Sequence, residues 1–146
     1  MRALGLDLGE RRIGVAVGDS DGRVATPLTV LERSGDRAAD YRAVAALVAE
    51  WEAGIVVVGM PYSLDGTQGP AARAAADEAA RLGAVLDVPV ETYDERLTTV
   101  IAERRLAEQG LAGRRRRALV DQVAASVILQ AWLDTQREVK DRRQDR

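Results

Sequence analysis

Residues 2–18, Arg2-Ala3-Leu4-Gly5-Leu6-Asp7-Leu8-Gly9-Glu10-Arg11-Arg12-Ile13-Gly14-Val15-Ala16-Val17-Gly18, decide the fold. Leu4, Leu6 and Leu8 alternate with Ala3, Gly5 and Asp7. That period of two belongs to a strand with one large apolar face and one face of small residues. Ile13, Val15 and Val17 alternate in the same way with Gly14, Ala16 and Gly18. Two such runs joined by a short turn predict an antiparallel hairpin. A second turn at Asp19-Ser20-Asp21-Gly22 leads into a third strand, 23–30, which Pro27 assigns to a sheet edge.

Beyond this meander the pattern changes period. Ser34-Gly35-Asp36 opens a helix over 37–52, with Tyr41, Val44, Ala45, Leu47, Val48 and Trp51 at helical spacing. Residues 54–59 (GIVVVG) form a continuous β-branched run, as expected of a parallel strand buried on both faces. An alanine-rich helix over 70–83, a strand over 89–93 and a helix to about 108 follow. Gly110 to Arg117 reads as a loop, 118–137 as an apolar helix, and the polar tail as frayed. The order β-β-β-α-β-α-β-α-α predicts an α/β fold: one domain, residues 1–138, with a mixed five-stranded sheet and flanking helices, then a polar tail, 139–146.

The chain of 146 residues is 47% hydrophobic and 30% charged, a globular composition. No apolar run reaches the roughly 20 residues of a membrane span. Asp7 interrupts the position where an export signal needs its apolar stretch. With no cysteine there is no disulfide framework, so a cytoplasmic location is expected. Histidine is absent as well, which removes His- or Cys-based zinc sites, Ser-His-Asp triads and cysteine nucleophiles. Acid–base and metal chemistry falls to Asp, Glu, Arg, Lys, Tyr, Ser or Thr, and hard oxygen ligands favour Mg²⁺ or Mn²⁺.

The net charge of −2 is not that of a basic nucleic-acid binder, but the cations are clustered. Lys140 is the only lysine; Arg114-Arg115-Arg116-Arg117 form one cluster and Arg11-Arg12 a smaller one. Arginine grips phosphate with paired hydrogen bonds, although a solvated face would show the same composition.

Three acids are candidates for chemistry. Asp7 lies near the end of its strand, where ligands of α/β sheets gather; a turn cap is the alternative. Asp94-Glu95-Arg96 lies where a parallel strand stops. Asp94 suits a helix cap or an orienting role and Glu95 a metal ligand, although alternation alone leaves open which one points to the site. Asp121 shares a helix face with Ala125, Ile128 and Trp132, where a charge is costly unless paired or metal-bound; a late helix cap is the alternative. Small neighbours, Ala124 and Ala125, would allow this helix close to the sheet. Phosphodiester hydrolysis needs a nucleophilic water and charge stabilisation, and two metals about 4 Å apart supply both. The loop 59–67 could line a groove through Ser63 or Thr67, or be an ordinary turn. No Walker-type or GxGxxG signature is present.

The blocks GLDLGERRIGVAVGD (5–19), VVVGMPYSLDGT (56–67), YDERLTT (93–99) and DQVAASVILQAWL (121–133) together resemble the YqgF/RuvX family. Its members are described as Holliday-junction resolvases and, alternatively, as nucleases maturing the 5′ end of pre-16S ribosomal RNA. The resemblance implies an RNase H-like fold of the RuvC type, with Asp7, Glu95 and Asp121 as catalytic acids and ligands of Mg²⁺ or Mn²⁺. Arg11, Arg12, Arg96, Thr98 and Arg114 to Arg117 are then the candidates for contact with nucleic acid. The expected partners are pre-ribosomal RNA or branched DNA, with a homodimer or a ribosomal partner as further possibilities. Two alternatives compete: a non-catalytic RNA-binding factor, and a phosphate-binding ATPase or sugar-kinase-like domain suggested by Gly5-Leu6-Asp7-Leu8-Gly9. The second needs a duplicated domain that this length does not supply.

Overall fold

The computed structural model describes residues 1–19, 21, 24–61, 65–94 and 113–144, the backbone alone for 113–122 and 144. The hairpin is β1 (Arg2–Leu8) and β2 (Arg12–Asp19), antiparallel, with Asp7 opposite Gly14. β3 (Ala25–Glu32) pairs antiparallel with β2 at the sheet edge, as Pro27 requires, and the register slips where Ala16 meets Pro27. β4 (Ala53–Met60) and β5 (Val90–Asp94) join on the other side of β1, both parallel. The spatial order is β3-β2-β1-β4-β5, so the expected mixed five-stranded sheet is present.

The alternation in β1 and β2 sorts the two faces. Leu4, Leu6, Ile13 and Val15 are buried on one face, against helix α1 (Arg37–Glu50) and helix α2 (Pro70–Val85). Tyr41, Val44 and Val48 of α1 and Ala79 and Leu82 of α2 close that core. Asp36 caps α1 by accepting from the N–H groups of Ala38 and Ala39, and Gly35 turns the chain at φ 87°. Trp51 is half-buried against this same core.

The small-residue face carries helix α3 (Gly113–Gln144). Ala125, Ile128, Leu129, Trp132 and Leu133 pack there on Ala3, Ala16, Ile55 and Val57. This is the stripe read from spacing. A Cβ on Gly5 would meet the Leu129 Cβ at 2.7 Å and the Ala125 carbonyl oxygen at 2.9 Å. The glycine is therefore what lets the helix lie on β1. Ala125 is at this approach, whereas Ala124 is buried in a separate cluster with Val127.

Two expectations are corrected. Arg114 to Arg117 lie within α3, which begins at Gly113, and not in a loop. Arginine is a good helix former, and four in a row extend the helix rather than break it. The tail is also helical through Gln144, so α3 is 32 residues and roughly 48 Å long. The helix expected to run to about 108 lies outside the described residues.

Candidate active site

Asp7 is the penultimate residue of β1, half-buried, on the small-residue face two positions beyond Gly5. Its cross-strand neighbour Gly14 has no side chain and is itself buried. In the parallel half, Leu6 pairs with Val58, and Gly59 and Met60 pair with Tyr93 and Asp94. The C-terminal ends of β1, β4 and β5 thus finish together along one edge, where α/β sheets bind ligands.

The register of α3 on the sheet carries the backbone of Asp121 toward that edge. Leu133 lies against Gly18, the partner of Ala3, while Leu129 and Ala125 lie against Gly5. Travelling along β1 toward Asp7, the helix runs back toward its own N-terminus. Asp121 is four residues before Ala125, about 6 Å along the axis, and two strand residues from Gly5 to Asp7 cover about the same distance. The backbone of Asp121 is therefore level with Asp7. It is also the ninth residue of α3, which removes the reading of Asp121 as a helix cap.

Side-chain hydrogen bonds hold α3 at this register. The Trp132 indole N–H donates to Glu91 Oε2 at 2.7 Å, and Gln130 Oε1 accepts from the Ala25 N–H at 2.8 Å. These contacts tie the helix to both outer strands of the sheet. Glu91 meets α3 and Tyr93 packs against its core, its hydroxyl 3.4 Å from Thr135 Oγ1. By strand alternation Asp94, half-buried at the end of β5, belongs to the opposite face.

Glu95, Arg96 and Thr98 lie outside the described residues, as does Ser63. The side chains of Asp121 and Arg114 to Arg117 are also outside them. Among the described residues no group of three acids forms a metal cluster. Of the first basic pair, Arg11 is exposed on the turn beyond Asp7. Arg12 is mostly buried, its Nε 3.8 Å from Glu32 Oε1. In the loop after β4, the Thr67 hydroxyl and N–H both donate to Asp65 Oδ1, so Thr67 serves an ordinary turn.

Sequence reasoning missed a network on the other side of the same edge. The Arg33 guanidinium donates to both Glu78 carboxylate oxygens, at 2.9 and 2.7 Å, and its Nε to the Gly9 carbonyl at 2.8 Å. The Tyr41 hydroxyl donates to Glu78 Oε2 at 3.0 Å. Gly9, Arg33 and Glu78 border a cleft of about 700 Å³ that also reaches Leu8, Arg11 and Pro61. Burial raises the Glu78 carboxyl, but the hydrogen bonds and charge of Arg33, with the Tyr41 hydroxyl, outweigh it and leave the group below its usual range. No sequence signal pointed here: the partners are far apart in the chain, and each has an ordinary local role.

The family model described as "Holliday junction resolvase", RuvX, matches residues 1–135. The chain belongs to the RuvX family. A relative from Anaeromyxobacter sp. named "Putative pre-16S rRNA nuclease" is 52% identical over 134 residues, 92% of this RuvX chain and 97% of the relative. One of the same name from Crocosphaera subtropica is 47% identical over 135 residues, 92% of this chain and 94% of its own. Among solved structures, the yeast mitochondrial Holliday junction resolvase Ydc2 has a TM-score of 0.60 at 11% identity, covering 95% of this chain and 80% of Ydc2. Thermus thermophilus RuvC in complex with Holliday junction substrate has a TM-score of 0.55 at 18% identity, covering 88% and 91%. This RuvX chain thus has the RNase H-like fold expected from its sequence.

Proposed function

We propose that this chain is a metal-dependent endonuclease that hydrolyses phosphodiester bonds in maturing the 5′ end of pre-16S ribosomal RNA. The observation that supports this reading is the common edge at which β1, β4 and β5 finish. Asp7 is the penultimate residue of β1, Glu95 follows the last residue of β5 in sequence, and the register of α3 makes the backbone of Asp121 level with Asp7. The names of the relatives, at about half identity over most of both chains, support the RNA substrate.

Asp7, Glu95 and Asp121 are the residues we assign to hold the metal. Their donors are hard carboxylate oxygens, which suit Mg²⁺ or Mn²⁺. A divalent cation bound there would supply Lewis-acid stabilisation of the phosphate and a more acidic water. Glu95 is preferred to Asp94 because alternation after Glu91 and Tyr93 assigns Asp94 to the other face.

The nucleic-acid contacts we assign are Arg11, Arg12, Arg96, Thr98 and Arg114 to Arg117. Four cations in the first turns of α3 oppose the helix dipole, a cost that a phosphate backbone nearby would offset. No described helix is long and apolar enough to cross a membrane, and we place the protein in the cytoplasm.

The RuvX family description favours a second reading, resolution of four-way DNA junctions. Cutting two symmetric strands would call for a two-fold dimer. The deciding experiment is a competition between precursor ribosomal RNA, generic single-stranded RNA and a four-way DNA junction, with Mg²⁺ or Mn²⁺. Preferred cutting of the precursor at its 5′ side supports maturation. Preferred symmetric cutting of the junction overturns it in favour of resolution, and binding without cutting of any substrate points to an RNA-binding factor.

A further inference from the structure

The turn that follows Asp7 is held from outside. Gly9 N–H donates to the Arg12 carbonyl at 2.9 Å across a two-residue turn, Glu10-Arg11. Two-residue hairpin turns that match strand twist require positive φ at one or both central residues. Among the described residues Glu52 is the only non-glycine with positive φ, so neither Glu10 nor Arg11 adopts that geometry. The turn therefore does not have the conformation that would make it self-supporting, and it lies two residues from the first acid of the site.

Arg33 grips this turn at two points. Its backbone N–H donates to the Arg11 carbonyl at 2.8 Å and its Nε to the Gly9 carbonyl at 2.8 Å. The far end of the guanidinium makes the paired contact with Glu78 of α2, and Glu78 also receives the Tyr41 hydroxyl from α1. Both side chains of the ion pair are mostly buried, at 14% and 13% exposure, so solvent screens the contact little. Arginine is suited to this because its planar fork donates in several fixed directions at once; lysine has one mobile ammonium.

We propose that Arg33 is a positioning residue for the active site: with Glu78 it fixes the β1–β2 turn to both helices and thereby holds Asp7 at the sheet edge. The catalytic consequence rests on the nuclease reading above, whereas the clamp itself does not. A small displacement of a positioned group lowers turnover strongly while leaving substrate binding less affected.

The experiment compares the parent with Arg33→Met and Arg33→Lys, and with Glu78→Gln, which keeps the shape of the buried site. Amide hydrogen exchange and cleavage kinetics are measured on each. In Arg33→Met, exchange at Leu8 and Gly9 is expected to rise at least tenfold while that at Val56 to Val58 in β4 is unchanged. The kcat is expected to fall about tenfold with KM within twofold, Arg33→Lys restoring little of it and Glu78→Gln giving a smaller loss. If Arg33→Met does not fold, Glu78→Gln alone decides, by the same two measurements. Unchanged exchange in the turn, or an unchanged kcat in an active enzyme, overturns the proposal. Should the parent cut none of the substrates, the nuclease reading fails, and turn exchange alone then supports or overturns the clamp.

Discussion

The Cα of Gly5 faces Leu129 so closely that an added Cβ would come within 2.7 Å of the Leu129 Cβ. This contact sets the depth at which α3 lies on the sheet and, through the register of that helix, the level of the Asp121 backbone relative to Asp7. Gly5→Ala should therefore act on both stability and the site. Overpacking of this kind costs about 1–3 kcal/mol. Urea unfolding should show a loss in that range, with metal-dependent cleavage lowered in protein that is still folded. A variant as stable and as active as the parent would show that the helix has slack at this point.

Glu78 gives the fold a pH dependence with a definite sign. Burial raises its carboxyl, but Arg33 and Tyr41 hold it below the usual range. A carboxyl lowered in the folded state stabilises the protein above its unfolded value, and that contribution is lost as pH falls through the folded value. Against Glu78→Gln, the parent should be more stable at pH 7 by about 1.5–3 kcal/mol, typical of hydrogen bonds to a charged group. The difference should shrink as pH drops below about 4, the ordinary carboxylate range. Urea midpoints measured for both proteins between pH 7 and pH 3 check this; a constant difference would contradict the assignment.

Replacing Arg114 to Arg117 with alanine separates binding from folding. Alanine is the best helix former, and removing cations from the positive end of the helix dipole is favourable, so α3 should be no less stable. Affinity for nucleic acid should fall. The slope of log K against log salt should flatten by about 0.7–0.9 for each arginine that touches a phosphate, the lower figure for single strands. An unchanged slope would make the cluster a solvated helix end.

The strands were the most legible part of the sequence because each carries its own pattern. Alternation in 2–8 and 13–18 separated the two faces, Pro27 marked the edge strand, and the run 54–59 marked the buried one. The apolar stripe of Ala125, Ile128 and Trp132 was legible for the same reason, and it packs on the sheet. The start of α3 was misread because a glycine followed by four arginines resembles a solvated loop, while helix propensity favours what the chain adopts. The place of Asp7 near the end of β1 was legible from the same alternation. The Arg33–Glu78 pair was not, because it joins residues 45 apart in sequence that meet only when α2 folds over the hairpin turn. Ion pairs between distant segments leave no periodic trace.

The central claim is that the carboxylate of Asp7 is required for cutting a nucleic-acid backbone. It is tested most directly by incubating the parent and Asp7→Asn with precursor ribosomal RNA in the presence of Mn²⁺ or Mg²⁺. The substitution keeps the side-chain size and removes the charge. The account predicts metal-dependent cutting by the parent and at least a hundredfold slower cutting by the variant, with both proteins folded and binding the RNA. Equal cutting by the two, or cutting by the parent that persists in chelator, would contradict it.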